Sequence, residues 1–228
     1  MSTIAIIPAR GGSKRIPRKV VRPFLGKPML AYSVETALRS GLFDEVMVST
    51  DDAAIADIAR QYGASVPFLR SADAAHDFAT TADVLTDVLT TYDAQGQLFD
   101  YGCCFYATAP FVTPDLLTRA FETLQTGGFD CVFPVQRFSF PVQRAVTFAG
   151  ERLTWLQPEH ALTRSQDLPP AYHDAGQFYF FSVPAFRRQG QLITDNTSGL
   201  IIAEMQAQDI DTEEDWQLAE LKFRLMKE

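Results

Sequence analysis

The 228 residues suffice for one large domain with a sizeable core, and 46% apolar and 21% charged residues exclude a disordered or collagen-like chain. Twenty Lys and Arg stand against 28 Asp and Glu, a net charge of -8, which excludes nucleic acid and anionic membranes as general electrostatic partners. Any polyanion must be held locally.

The run Ile4-Ala5-Ile6-Ile7 is continuous rather than alternating and ends at Pro8 and the Gly11-Gly12 pair, as a strand buried on both faces would. It is too short for a signal peptide, and no later apolar run is long enough to cross a membrane, which predicts a cytoplasmic protein. A loop runs from Ala9 to about Arg22. Pro28 then suits a first helical residue, and Leu30, Val34, Ala37, Leu38 and Leu42 recur at helical spacing, with Gly41 as the stop. A strand from Glu45 to Ser49, a helix burying Ile55, Ile58, Ala59 and Tyr62 up to Gly63, and a short third strand from Ser65 to Leu69 complete a βαβαβ rhythm.

Thr80 and Asp83 match a capping box ahead of a helix from Thr81 to Tyr92, and Cys103 to Ala107 returns as a strand. Thr113 as N-cap, Pro114 and Asp115 announce a helix with Leu116, Leu117, Ala120, Phe121 and Leu124 inward, followed by a strand from Cys131 to Val135. This alternation implies a mostly parallel sheet covered on both faces, and such sheets bind ligands beyond the carboxyl ends of their strands. The loops after Ile7, Val48 and Ala107 therefore matter most. From Phe138 to Pro170 the rhythm breaks, and Arg144 to Phe148 with Arg152 to Leu156 read as an antiparallel hairpin around Ala149-Gly150. We read residues 1–228 as one domain carrying an arm at about 138–170. Gln177 to Val183 and Leu200 to Gln206 are late strands, and Thr212 with Asp215 caps a last helix with Trp216, Ala219, Leu221 and Leu225 inward.

The segment Pro8-Ala9-Arg10-Gly11-Gly12-Ser13-Lys14-Arg15-Ile16-Pro17-Arg18-Lys19 puts five cations and two glycines just beyond the first strand. Glycine lets backbone N–H groups approach a ligand closely, Arg supplies forked donors and Lys a point charge, a set suited to a di- or triphosphate. Neither G-x-x-x-x-G-K-[ST] nor G-x-G-x-x-G occurs. Near the other end, Asp209 and Asp211 flank Ile210, and carboxylates at i and i+2 can converge on one side of an extended segment to suit Mg²⁺. The same residues read equally as a helix start, with Asp211 or Thr212 as N-cap. Cys103, Cys104 and Cys131, odd in number and two adjacent, fit neither a disulfide framework nor metal-ligand spacing and read as reduced, buried thiols. His76, His160 and His173 are scattered, without the spacing of metal ligands.

The opening Ile6 to Lys19 closely resembles that of the acylneuraminate cytidylyltransferase family, which makes CMP-activated nonulosonic acids. The resemblance continues through Gly26-Lys27-Pro28-Met29, Val48-Ser49-Thr50-Asp51-Asp52, Ala107-Thr108-Ala109-Pro110-Phe111, Arg164-Ser165-Gln166-Asp167-Leu168 and Asp209-Ile210-Asp211-Thr212-Glu213-Glu214-Asp215-Trp216. Phe138 to Arg144 and Tyr172 to Tyr179 resemble its pseudaminic acid branch. The resemblance implies an α/β, Rossmann-like nucleotidyltransferase fold with a small dimerisation arm, a homodimer, and the reaction of CTP with a nonulosonic acid to give CMP-sugar and pyrophosphate. It further implies Arg10 and Lys19 on the triphosphate, with Ala9, Gly11, Gly12 and Ser13 around it, and Mg²⁺ or Mn²⁺ on Asp209 and Asp211. Arg10, Lys19 and Asp211 would carry the chemistry. A hydroxyl of Thr80 or Thr81 would meet the cytosine edge, although an N-cap role explains one of them equally well. Arg164, Gln166, Tyr172, Gln177 and Phe178 would line the sugar pocket, with Arg164 as bidentate partner of the sugar carboxylate.

One departure stands out. The family's opening motif usually ends in Lys-Asn, where this chain has Lys19-Val20, so one amide that helps hold the nucleoside is lost. The alternatives are transfer to neuraminic or legionaminic acid or to Kdo and, in a different class, a binding protein that keeps the nucleotide pocket without turnover. Only Val20 supports the last.

Overall fold

The computed structural model describes residues 1–12, 15–71 and 79–226, so Ser13, Lys14 and His76 lie outside the described residues. In chain order the strands are β1 Thr3–Pro8, β2 Pro23–Phe24, β3 Lys27–Pro28, β4 Glu45–Ser49, β5 Tyr101–Phe105, β6 Cys131–Arg137, β7 Val146–Ala149, β8 Arg152–Trp155, β9 Tyr172–Asp174, β10 Phe178–Ser182 and β11 Thr197–Ile201. The described helices are α1 Met29–Ser40, α2 Ala53–Gln61, α3 Thr81–Ala94, α4 Pro114–Gly127, α5 Val183–Gln189 and α6 Glu213–Leu225. Among the described residues the main sheet has seven strands ordered β11-β6-β10-β5-β1-β4, with β9 also on β6. β1 pairs parallel with β4 and β5, and β11 parallel with β6, whereas β10 lies antiparallel between β5 and β6. The mostly parallel sheet is as the alternation of strands and helices required.

Period-two alternation along the strands makes two cores. Ala5, Ile7, Cys103, Phe105, Phe178 and Phe180 pack with α1, α2 and α4 on one face. Ile4, Ile6, Met47, Cys104, Tyr179 and Phe181 meet α3 and α5 on the other. All three cysteines are free and buried. Burial pushes the Cys131 thiol up to about 12, and the other two in the same direction, so none is a thiolate nucleophile. Among the described residues no helix is long and apolar enough to cross a membrane.

Four sequence expectations are corrected. The strand from Ser65 to Leu69 shrinks to one parallel bridge between Met47 and Ser65, because Pro67 has no N–H to continue a ladder. The last parallel strand runs Thr197–Ile201 and Glu204–Gln206 forms a 3-10 turn, so the pairing lies N-terminal to Leu200–Gln206. The hairpin is shorter than read, Arg144 ending a 3-10 turn ahead of β7. In α6 the inward residues are Trp216 and Ala219, while Leu221 and Leu225 are each 54% exposed, because the helix docks by one narrow stripe.

That stripe belongs to a third apolar cluster of Ile16, Phe24, Met29, Phe111, Ile210, Trp216 and Ala219. Phe24 stands edge-on to Trp216, Phe223 and Tyr32 at 5.5–5.6 Å between ring centres, and the Arg22 guanidinium lies 4.5 Å above the Trp216 ring. The cluster ties the loop after β1 to the last helix. Ile210→Ala should cost about 2–5 kcal/mol of stability, read as a lower denaturant midpoint at unchanged m-value. A midpoint shift corresponding to under about 1 kcal/mol, the scale of an ordinary surface change, would remove the cluster from the account.

Candidate active site

The site lies where β1, β4 and β5 end. The Ala9 N–H donates to the Ser49 carbonyl at 2.9 Å, continuing the β1 and β4 ladder into the loop. Gly11 then passes against the start of α2, its N–H donating to Asp51 Oδ1 at 3.4 Å. A Cβ on Gly11 would stand 2.9 Å from Asp52 Oδ2. Asp52 has little freedom to move, because its carboxylate caps α2 by accepting from the Ala54 and Ile55 N–H groups. Glycine is therefore needed at this position for close approach.

Beyond it, Ile16 is fully buried and Arg18 takes a left-handed backbone with φ 52°. That conformation disfavours a residue with a Cβ, and here it is held by the Lys19, Val21 and Arg22 N–H groups bonding back to Ile16 and Arg18 carbonyls. The turn sends Lys19 inward, where its Nζ donates to the Ile210 carbonyl and lies 3.5 Å from Asp211 Oδ1. Arg15 Nη1 sits 2.6 Å from Asp211 Oδ2. The basic loop thus grips both oxygens of Asp211. Arg10, Arg15, Lys19 and Val20 line a cavity of about 390 Å³ together with Pro8, Tyr106, Ala107 and Thr108.

The structure decides the open choices at both helix starts. Thr212, not Asp211, caps α6: its hydroxyl accepts from the Asp215 N–H at 3.2 Å and donates to the Asp215 carboxylate. These bonds, with the Asp211 and Thr212 N–H groups, hold Asp215 below the usual carboxylate range and leave the Asp211 side chain outside the cap. Thr80 likewise caps α3 in a reciprocal box with Asp83. Thr81 is the first residue of α3 and takes no part in that box. Val20 is 8% exposed, packed in the core yet lining the cavity.

Asp209 and Asp211 lie on the two sides of buried Ile210 in sequence, and Asp209 lines a separate cleft of about 300 Å³ with Arg137, His173 and Lys222. Among the described residues no group of three or more His, Cys, Asp or Glu could hold a metal ion. The donor set still suits Mg²⁺, which needs only one or two protein carboxylates and takes its other ligands from water and phosphate oxygens.

The expected sugar residues are divided. Gln166 lines a cleft of about 640 Å³ beneath the arm, with Arg137, Phe138, Phe140 and Leu168. Tyr172 is exposed opposite Arg137, and Arg164 is exposed at the start of a 3-10 turn. Gln177 is 2% exposed; its amide donates to the Gln206 carbonyl at 2.6 Å, and its Oε1 is buried with no partner among the described residues. Phe178 is a correction: its ring is fully buried against Phe105 and Phe180, because strand alternation turns it toward α1 and α4, so it cannot touch a ligand. Sequence reading also passed over groups at this edge. Arg70 donates to the Ser49 carbonyl and hydroxyl, its pKa lowered by burial. Tyr106 and Tyr179 stand 5.6 Å apart between ring centres, and Tyr179 donates to Asp174. Their signal was a polar aromatic at a strand terminus or among core phenylalanines, which composition makes look like packing.

A doubly covered, mostly parallel sheet with a cationic glycine loop at its carboxyl edge defines an α/β nucleotide-site protein. The sequence model of cytidylyltransferases matches residues 4–217, and the chain belongs to that family. It is 39% identical to pseudaminic acid cytidylyltransferase of Campylobacter jejuni, covering 100% of this chain and 99% of that one. It is 33% identical to CMP-N,N'-diacetyllegionaminic acid synthase of Legionella pneumophila, again over 100% and 99%. The fold is shared with a CMP:2-keto-3-deoxy-manno-octonic acid synthetase solved in complex with CTP, at a TM-score of 0.72 and 17% identity over 100% of this chain and 99% of that one. Gly11→Ala should lower both thermal stability and nucleotide affinity, because the added methyl must displace Asp52 from its cap. Calorimetric nucleotide titration with a melting curve checks this, and an unchanged pair of values would contradict the close approach.

Proposed function

We propose that this chain transfers CMP from CTP to the anomeric hydroxyl of a nonulosonic acid, pseudaminic acid in particular, and releases pyrophosphate. One observation carries the reading: Arg15 and Lys19 of the basic loop after β1, which line the cavity, both contact Asp211 before α6, from the opposite end of the chain. The full-length likeness to a pseudaminic acid cytidylyltransferase supports the choice of sugar.

In the reaction the anomeric oxygen bonds to the α-phosphorus, the bond to the β-phosphate bridging oxygen breaks, and the hydroxyl proton passes to solvent. Such a transfer depends on positioning and on neutralising charge at the equatorial and leaving oxygens. Arg10 and Lys19 would hold the β- and γ-phosphates, and the Gly11-Gly12 backbone would wrap them. Asp211, with Asp209, would hold Mg²⁺ or Mn²⁺, which when bound supplies further charge neutralisation. Arg15 would then leave Asp211 for the phosphates. The buried Oε1 of Gln177 is an acceptor suited to a sugar donor.

We further propose a homodimer joined through the arm, because Phe140, Phe148, Leu153 and Leu162 are 68%, 73%, 59% and 98% exposed there. Sedimentation at twice the chain mass is expected, and a monomer at micromolar concentration would contradict it. We place the enzyme in the cytoplasm, where CTP is made.

The deciding experiment is pyrophosphate release from CTP with purified pseudaminic, legionaminic and N-acetylneuraminic acids and Kdo. Fastest turnover with pseudaminic acid is expected; faster turnover with another acid reassigns the sugar, and none with any acid favours a binding protein. Arg10→Ala should raise the CTP KM and lower kcat, and a well-folded Asp211→Asn should lower kcat by about 10²-fold or more, as should EDTA. Wild-type rates in these variants would make the loop a solvated surface.

A further inference from the structure

We propose that Arg137 binds the carboxylate of the sugar acid and so aims its anomeric hydroxyl at the nucleotide cavity. This rests on the CMP-transfer reading above and names the residue that recognises the acid. Arg137 ends β6 and lines both the cleft of about 640 Å³ beneath the arm and the cleft of about 300 Å³ that holds Asp209. The two clefts share Gln136, Phe138, Ser139 and Glu204 as well, so they adjoin along one wall.

The sheet sets where that wall stands. β10 runs antiparallel between β5 and β6, so β5 and β6 point the same way and end on the same edge. Two strand spacings, about 10 Å, separate them, a span comparable to the length of a nine-carbon sugar. Tyr106, just past β5, lines the nucleotide cavity, and Arg137 lies at the end of β6. A second link joins the two places: Asp211 contacts Arg15 and Lys19 of the nucleotide cavity, while Asp209 lines the Arg137 cleft. One short segment thus borders both.

Three basic side chains line the Asp209 cleft, and two are committed elsewhere. Lys222 Nζ donates to the Glu204 and Ala207 carbonyls at 3.3 and 3.1 Å. The His173 ring packs on Phe138 at 4.9 Å between ring centres, with Nδ1 2.9 Å from the Asp174 carbonyl oxygen. Arg137 is exposed, and its side chain makes no hydrogen bond or ion pair among the described residues. Its forked donors are therefore open to a carboxylate. Glu204, on the same wall, accepts from sugar hydroxyls but repels a carboxylate, which fixes the end of the sugar that meets Arg137. Arg164, the residue expected in this role, is exposed at the start of a 3-10 turn and lines neither cleft. In a nonulosonic acid the carboxyl carbon is bonded to the anomeric carbon, so a guanidinium that holds the carboxylate also positions the attacking oxygen.

The test uses pseudaminic acid, or whichever acid of the panel above turns over fastest, and its methyl ester. Calorimetric binding and pyrophosphate release are measured for wild type, Arg137→Ala, Arg137→Lys and Arg164→Ala, with a melting curve for each. Arg137→Ala should raise the KM for the acid by about 10- to 100-fold, the scale of a charged hydrogen bond, and leave the CTP KM unchanged. Arg137→Lys keeps the charge without the fork and should recover part of that loss. Wild type should prefer the acid to the ester by a similar factor, and Arg137→Ala should bind the two alike. A folded Arg137→Ala protein with the wild-type KM for the acid, or with the wild-type preference for acid over ester, would overturn the proposal, as would a loss confined to Arg164→Ala. Wild type that binds the acid through Arg137 yet releases no pyrophosphate would sink the transfer reading and uphold the assignment of Arg137; wild type that binds CTP but no sugar acid would sink both.

Discussion

Two isoleucines hold the site together. Ile16 in the basic loop and Ile210 before the last helix enter one apolar cluster with Phe24, Met29 and Trp216, and their charged neighbours are thereby turned toward each other. Full burial of such a side chain is worth about 1.5–3 kcal/mol, whereas an exposed ion pair is worth about 0–1 kcal/mol. Arg15, 69% exposed in its pair with Asp211, therefore does not assemble the site. Apolar burial assembles it, and the Arg15 and Lys19 contacts to Asp211 are what that assembly makes possible. A weak pair is also an exchangeable one, suited to cations that must transfer to an incoming phosphate.

The same logic explains how an acidic chain can serve a polyanion. With a net charge of -8 the protein has no broad positive field, but Arg10, Arg15 and Lys19 are gathered at one cavity where β1, β4 and β5 end. The backbone there is fixed by three separate devices: the extension of the ladder at Ala9, the close approach of Gly11 to the α2 cap, and the left-handed turn at Arg18. None of these is an ion pair. They let Arg10, Arg15 and Lys19 be held near one another at the cavity, where their mutual repulsion favours an anion.

Much of the fold was legible because its signals are local. The capping boxes of Thr80 with Asp83 and Thr212 with Asp215, and the continuous apolar run Ile4 to Ile7, read directly into helices and a doubly buried strand. Readings that depended on partners went astray. Ser65 to Leu69 looked like a strand by composition, but Pro67 cannot pair; Leu221 and Leu225 looked inward by spacing, but little of α6 is covered. The loop and the Asp211 segment were recognisable as candidate ligand sites because they combine unusual charge with unusual spacing. Phe178 was misplaced because resemblance gives a position and not a direction, and strand parity decides which way a ring faces. The contacts of Arg15 and Lys19 with Asp211 were not legible from spacing, since they join segments distant in sequence.

The most direct measurement is a crystal structure with CTP and a divalent ion. The account predicts the triphosphate along Gly11 and Gly12 between Arg10 and Lys19, the ion on Asp211, and Arg15 moved from Asp211 to phosphate. A nucleotide seated instead in the cleft beneath the arm, with the Arg15 and Asp211 pair intact, would contradict it.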